Sequence, residues 1–334
     1  MNQPTNPSVA VRKAGKDISA QLRRWGPLAA LVILFLGFSL AEPTFASWQN
    51  LQTIANRSAI PLILAIGMTF IILQGSIDLS VEGVMAISSL SIAMVVLNNR
   101  TGLDLGLFGI GVGALMGAGF GFLSGFIVTK LRVPSFMVTL GIWSISLGAA
   151  MLVSGGAPPI IRDQLLRTLG LGYFFGVPNL FIIAAVLVCV SLGIQNYTRF
   201  GRYSYVIGGG EDIARLSGLP VDRFKLLAFC FAGALAGLAG ALESTRIGLG
   251  HVDIGLGQMF TAITAVVIGG TSLSGGRGGV LQSVVGVFIL AVLANGMIFV
   301  GISPFAQKAA QGGIILVAVL GTTWHLRDRM RIVK

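Results

Sequence analysis

Charge is what this 334-residue chain most lacks. Asp, Glu, Lys and Arg together make up 10% of it, against ~25% in an ordinary soluble domain. With 54% hydrophobic residues, the chain has too little polar surface to cover itself in water, which excludes a soluble fold. Cysteine is nearly absent. Cys189 and Cys230 both fall in apolar runs and read as small buried hydrophobes, so no disulfide framework is encoded. His251 and His325 are the only histidines and lie far apart, and no metal site can be assembled around them. The glycine-rich stretch 269–279 lacks a Gly-Lys-Ser/Thr ending, as does the rest of the chain, which rules out a Walker A nucleotide site. There is no paired-carboxylate cleft, no Gly-x-Ser-x-Gly elbow and no Cys/His cluster. Nothing points to an enzyme or to a resident cofactor.

What is present is a series of apolar runs close to the ~20 residues that cross a hydrocarbon core. They fall at about 26–45, 58–76, 80–98, 105–129, 134–154, 179–196, 224–245, 257–272, 279–300 and 306–324. The fold class expected is therefore an all-α polytopic membrane protein with about ten transmembrane helices. A polar tail (1–25) precedes a single membrane domain (26–324), and a basic tail (325–334) follows it. The first run could pass for a signal peptide ending at Ser39-Leu40-Ala41, but it is long and more spans follow. Only Ser76-Ile77-Asp78-Leu79 separates the second and third runs, so one of them can be a broken or re-entrant segment. Region 155–178 is a longer loop that carries Pro158, Pro159 and Pro178 and is expected to hold a short helix of its own. The 47 glycines suit close helix–helix packing in lipid.

A net charge of +11 would suggest nucleic acid in a soluble protein. Here the charges sort by side of the membrane. With ten crossings and a cytoplasmic N-terminus, one side receives five basic residues before the first span, Lys130 and Arg132, five in the central loop, Arg277, and four in the C-terminal tail. The other side keeps only Arg57, Arg100, Arg162, Arg167, Arg246 and Lys308. The positive-inside rule then puts both termini in the cytoplasm, and a nucleic-acid partner is excluded.

The central interruption, 197–225, is the most informative polar stretch. Gly208, Gly209 and Gly210 break the preceding run, and Glu211 and Asp212 place negative charge where a helix N-terminus favours it. Ile213 and Leu216 share one face, and Gly218 with Pro220 closes the element. A helix of about two turns needs a partner surface. The loop therefore reads as a cytoplasmic docking element, with Arg215 off the apolar stripe and free to pair with an acidic rim on the partner.

Within the membrane, Asp78 and Glu82 share a helical face if their segment is helical. Intramembrane carboxylates usually face a cavity or a partner. The alternative places both at the cytoplasmic boundary, with Ser80 as an N-cap. Glu243, near the outer end of its span, is expected to reach interfacial water. Ser135, Thr139, Thr261 and Thr264 are more often interhelical glue than ligands, whereas the amides of Gln258 and Asn295 favour a lumen-facing role. Gly75–Gly83 and Gly270–Gly276 are both polar joints between apolar runs, a hint of two halves and of a pathway between them.

Four blocks resemble the permease subunits of ribose-type ATP-binding-cassette importers, in the branched-chain-amino-acid/ribose permease superfamily. They are Gly75-Ser-Ile-Asp-Leu-Ser-Val81; Val133-Pro-Ser-Phe-Met-Val-Thr-Leu-Gly141; Thr198-Arg-Phe-Gly-Arg-Tyr203 with Arg215-Leu-Ser-Gly218; and Ala265 to Gly276. Together they cover roughly residues 50–320. The resemblance implies import of a sugar, polyol or similar small polar solute across a bacterial inner (plasma) membrane. It implies a homodimer of permeases, a cytoplasmic ATPase subunit that binds the ATP, and a periplasmic or surface substrate-binding protein. It also gives the central loop (Arg199, Gly201, Arg202, Gly208, Gly209, Glu211, Ile213, Arg215, Leu216 and Gly218) its partner, the ATPase. With Phe136 from the second block, Asp78, Glu82, Ser135, Gln258 and Asn295 make up the candidate substrate pathway. Two positions depart from the family pattern: it usually has Gly where this chain has Glu82, and Glu where it has Gln258, so a nucleoside-like cargo stays open. The competing readings are an ion-coupled secondary transporter that uses Asp78 or Glu82 and a non-transporting membrane scaffold.

Overall fold

The computed structural model describes residues 25–303 and isolated positions from 306 to 316. The expected tails and most of the expected span 306–324 lie outside the described residues. The chain runs α1 (Trp25–Ala41), a 3-10 turn (Pro43–Ala46), α2 (Trp48–Leu73), α3 (Val81–Val95), α4 (Phe108–Lys130) and α5 (Ser135–Ser154). It continues with α6 (Gln164–Leu171), a hairpin of two-residue strands β1 (Tyr173–Phe174) and β2 (Val177–Pro178), and α7 (Asn179–Tyr197). The remaining described elements are α8 (Arg199–Gly209), α9 (Glu211–Leu216), α10 (Val221–Ile247), α11 (Gln258–Ile268) and α12 (Val280–Phe299).

Six of these helices, α2, α4, α5, α7, α10 and α12, are long and apolar enough to cross a membrane. Three of the expected spans are shorter. At 1.5 Å per residue, the 15 residues of α3 and 11 of α11 reach about 22 and 16 Å, short of the ~30 Å hydrocarbon core. Both stand beside a non-helical joint, Ser76–Ser80 before α3 and Gly270–Gly279 after α11. The break suspected at 76–79 is thus real, and a second one matches it. In the other direction, α2 begins ten residues before the expected span. Ser47 caps it by accepting from Asn50 N (3.3 Å), and its polar first turns are used internally, so they did not read as membrane helix.

α2 is the axis of the bundle, with 83% of its most apolar stretch buried, and α10 lies beside it; α7 is only 17% buried and presents its apolar side chains outward. The α4–α10 contact has a visible sequence cause. Gly109, Gly113, Gly117, Gly121 and Gly125 recur every four residues and so share one face. Gly113, Gly117, Gly121 and Gly125 meet α10 at Gly233, Gly237 and the turn around Phe229, whereas Gly109 meets Ile92 and Val96 at the end of α3. A Cβ on Gly117 would run into Gly233 O, and one on Gly237 into Gly113 O. The two backbones touch without side chains between them, as small residues permit in lipid.

Two polar expectations need correcting. Glu243 does not reach interfacial water: it is buried and paired with Arg246 at 2.5 Å, and Arg246 also donates to Asn56 O (3.3 Å). Cys189 is exposed on the outward face of α7 rather than buried, and both cysteines are free thiols.

The seam makes a sharp prediction. Gly117→Val should collapse the yield of folded, monodisperse protein, because overpacking ordinarily costs 1–3 kcal/mol and here the clash is with backbone. Gly119→Val, whose Cβ would meet nothing within 4 Å, should behave as wild type by size-exclusion chromatography and thermal melting.

Candidate functional site

The site is built where the two joints cross. Gly75, with φ +71°, turns the chain out of α2. The extended segment that follows leaves backbone groups without helical partners, and neighbouring helices supply them. Ser135 Oγ on α5 accepts from Ile77 N (3.1 Å), and Thr139 Oγ1, one turn on, accepts from Leu79 N (3.0 Å). The freed Leu73 carbonyl accepts from Gly276 N of the second joint (2.9 Å). That second joint is held in turn: Tyr205 OH donates to Gly278 O (2.7 Å), and Gln195 Oε1 accepts from Val280 N (2.7 Å) at the start of α12. The glycine-rich stretch is therefore a packed corner.

Asp78 lies in the extended segment, so it does not share a helical face with Glu82. It is buried rather than at a wet boundary, and its Oδ1 accepts from Ser80 N (2.8 Å) and Ser80 Oγ (2.6 Å). Ser80 makes no N-cap bond with its own side chain. Glu82, in the first turn of α3, reaches across to α11, where its Oε1 accepts from Gly257 N (2.9 Å). Gln258 follows at once, with Oε1 buried and lacking a protein partner among the described residues. The two positions that depart from the family pattern thus stand together at the start of α11. Phe136 is exposed beside Ser135. Asn295 does not join them. Its Nδ2 donates to Asn50 Oδ1 (2.6 Å), and Asn50 in turn bonds Phe45 O. This amide locks α12 to α2 near the α2 start, a structural use that explains its burial.

The central stretch is helical for most of its length. Its helix α8 was not anticipated, because Arg199, Arg202 and the glycines hide its pattern; Phe200, Ser204 and Ile207 form its inner face. The capping Thr198 accepts from Gly201 N (3.3 Å). Gly208 is helical and sits on the joints: a Cβ there would strike Leu73 O and Gly276 N. The break falls at Gly210, and α9 then spans the expected residues and ends at Gly218 in the left-handed region, φ +77°. Ile213 is 70% exposed and Leu216 88%. Arg199, Arg202 and Arg223 are exposed on the same stretch. Arg215 is not free for an outside partner, because it bonds Glu211 (2.9 Å) and Asp222 (2.6 Å), while Lys225 bonds the other Glu211 oxygen. Beside this network, a cavity of about 610 Å³ opens between α9, Arg132 on the α4–α5 link, and the joint at Gly75 to Ile77.

Residues 50–319 match the family described as branched-chain amino acid transport system / permease component. The chain belongs to this permease family. It is 34% identical over 298 residues to the ribose import permease protein RbsC of Escherichia coli K12, covering 88% of this chain and 91% of that one. It is 35% identical over 301 residues to RbsC of Bacillus subtilis (90% and 92%). It is 34% identical over 298 residues to the L-arabinose transport system permease protein AraH of E. coli K12 (89% and 89%). No solved structure matches it.

Sequence reasoning singled out Gln74 as a polar group within a span but missed its partner Ser204; the two join the end of α2 to α8 at 2.9 Å. A polar residue at the end of a long apolar run was the only signal.

Charge on α9 gives a pH prediction. Burial alone would raise the Glu211 carboxyl, but hydrogen bonds from Lys225 and Arg215 hold it below the ordinary value of 4.5. The network's contribution is therefore complete above pH 4.5 and lost as the pH falls through the lower folded value. Glu211→Gln should melt slightly lower than wild type at pH 7, by ~1 kcal/mol or less for so exposed a network. The two melting temperatures should converge as the pH is taken below 4.5.

Proposed function

We propose that the chain is the membrane-spanning subunit of an ATP-binding-cassette importer for a sugar or polyol. In this reading, ATP is bound and hydrolysed by a separate cytoplasmic subunit that docks on α9. A substrate-binding protein delivers the solute from the other side, and two copies of the permease enclose the path. Both termini lie in the cytoplasm of a bacterial inner membrane, and the chain crosses it about ten times. One observation carries the docking reading most directly: α9 turns Ile213 and Leu216 outward while its charged groups fasten it to α10. An exposed apolar pair on so short a helix, ringed by arginines, suits a protein partner with an acidic rim. The relatives' names, which specify ribose and L-arabinose, support a sugar as the solute.

For the pathway, the reading favours the Glu82–Gln258 neighbourhood over Asp78. Glu82 is partly exposed, with one carboxylate oxygen on Gly257, whereas Asp78 is buried and bonded to Ser80.

The test is Leu216→Asp. Burying such a side chain is worth roughly 1.5–3 kcal/mol, so ATPase association should weaken about tenfold or more. The permease should still insert and purify normally, because Leu216 supports nothing in the bundle. Arg215→Ala should also weaken coupling, by loosening α9 from Asp222. Reconstituted with its partners, the wild-type permease should transport with the proton gradient collapsed. Wild-type affinity and uptake in Leu216→Asp would remove α9 from the coupling role, and uptake by the chain alone that an ionophore abolishes would remove the ATP-driven reading altogether.

A further inference from the structure

The end of the molecule opposite α8 and α9 carries a second exposed apolar surface. Between α5 and α7 the chain forms α6 and the β1–β2 hairpin. Asp163 caps α6 by accepting from Leu165 N (2.8 Å) and Leu166 N (3.1 Å). One face of α6 is fixed to the end of α10. Leu166 is buried, Gly170 lies against the Thr245 backbone, and Arg167 Nη1 donates to Thr245 O (3.1 Å) and Arg246 O (2.9 Å). From the rest of its surface, Leu165 and Leu171 stand exposed.

The hairpin continues this outward face. It pairs Tyr173 with Pro178 and Phe174 with Val177, and its two turn residues, Phe175 (φ +49°) and Gly176 (φ +78°), are both left-handed. All three aromatics are exposed, Phe174 to 62% and Phe175 to 91%. The hairpin is no loose finger. Asn179 N, at the start of α7, donates to Gly172 O (3.0 Å), and Gln52 Nε2, near the start of α2, donates to Gly176 O (2.6 Å). Trp48, also exposed, lies beside Gly176.

Two observations identify what covers this surface. The hairpin is bonded to the first residue of α7, the most outward-facing of the long spans, whose Val186 and Val190 are exposed. The lipid-facing surface of α7 therefore begins about two turns from the hairpin, on the same stretch of chain. In addition, the chain carries no charged residue between Arg167 and Arg199. A protein-docking patch has a polar rim, whereas Trp and Tyr with apolar neighbours at the end of a spanning helix are the signature of the membrane–water interface.

We propose that α6 and the β1–β2 hairpin form an interfacial membrane anchor, with Trp48, Tyr173, Phe174 and Phe175 seated in the lipid headgroup layer. The anchor sets the depth of α7 and α2 at that end of the bundle. It is independent of how transport is energised.

The experiment uses the full chain with Cys189→Ser and Cys230→Ser, in phosphatidylethanolamine/phosphatidylglycerol vesicles. A single spin label is placed through Phe175→Cys, with Asp104→Cys, in an exposed loop, as the aqueous reference. Collision with oxygen, which partitions into lipid, is compared with collision with a water-soluble nickel chelate. The oxygen-to-nickel ratio at 175 should exceed that at 104 several-fold. A ratio at 175 equal to or below the reference overturns the anchor and leaves the hairpin as a water-exposed rim for a protein. Should Phe175→Cys fail to insert, Phe174→Cys reads the same tip with the same two outcomes.

Discussion

The structure depends on a single constraint: at membrane depth, each backbone N–H and C=O must find its partner within the protein. A helix meets this demand by itself, but the extended segment Ser76–Ser80 cannot. Its amides are met by the hydroxyls of Ser135 and Thr139, by the Asp78 carboxylate, and, for the carbonyl left at Leu73, by Gly276 N. Each of these groups left bare would cost roughly 1–3 kcal/mol. The joint therefore dictates where α5 begins, how close the second joint must come, and why α8 presents glycine at 208. Two breaks that lie about two hundred residues apart in sequence satisfy each other in space.

The glycine seam meets a different demand. Lipid gives helices no hydrophobic drive to associate, so α4 and α10 gain their contact from close packing. The repeat at 113, 117, 121 and 125 places α4 against α10, and its first member, Gly109, lies against the end of α3. α10 thus belongs to a unit with little room to give. At one end it carries Asp222 and Lys225, the partners of α9, and at the other its last carbonyls are capped by Arg167.

Much of this was legible in the chain. The short helix 211–216, its outward Ile213 and Leu216, the break after residue 75 and most of the long spans follow from local signals: charge at a helix start, glycine at its end, uninterrupted apolar runs. What was not legible depended on partners distant in sequence. Glu243 reads as an interfacial acid until Arg246 and the surrounding helices enclose it. Asn295 reads as a pathway amide until Asn50 is seen to take its hydrogen bond. Arg215 reads as free because its partner Asp222 lies beyond a turn whose geometry the sequence leaves open. α8 was hidden because a short helix with only three inward positions has almost no periodicity to detect. The glycine seam was fully written in the sequence, and its fixed spacing of four was the signal to look for.

The arrangement around α9 has a mechanical consequence that burial alone does not convey. A force applied to Ile213 and Leu216 would enter the bundle through ion pairs, through the chain itself and through the buried Ala214, which packs with Ile207 and Val221. Through Glu211–Lys225 and Arg215–Asp222 it enters α10, which the seam ties to α4 as one body. Through Gly210 it enters α8, whose Gly208 lies directly on both joints. The ion pairs lead to close-packed backbone, and the chain leads to two extended corners held by hydrogen bonds from neighbouring elements. Between α9 and the first joint lies a cavity of about 610 Å³ rather than packed side chains. Packed interiors resist continuous deformation, while hydrogen-bonded corners can exchange partners. If α9 docks a partner as proposed, Leu73, Gly276 and the Ser135–Thr139 pair are where its displacement relative to α10 would be taken up. Glu82, bonded to α11, stands directly after that joint in the first turn of α3. The exposed helix and Glu82 are thus joined through hydrogen-bonded corners rather than through the close-packed α4–α10 seam.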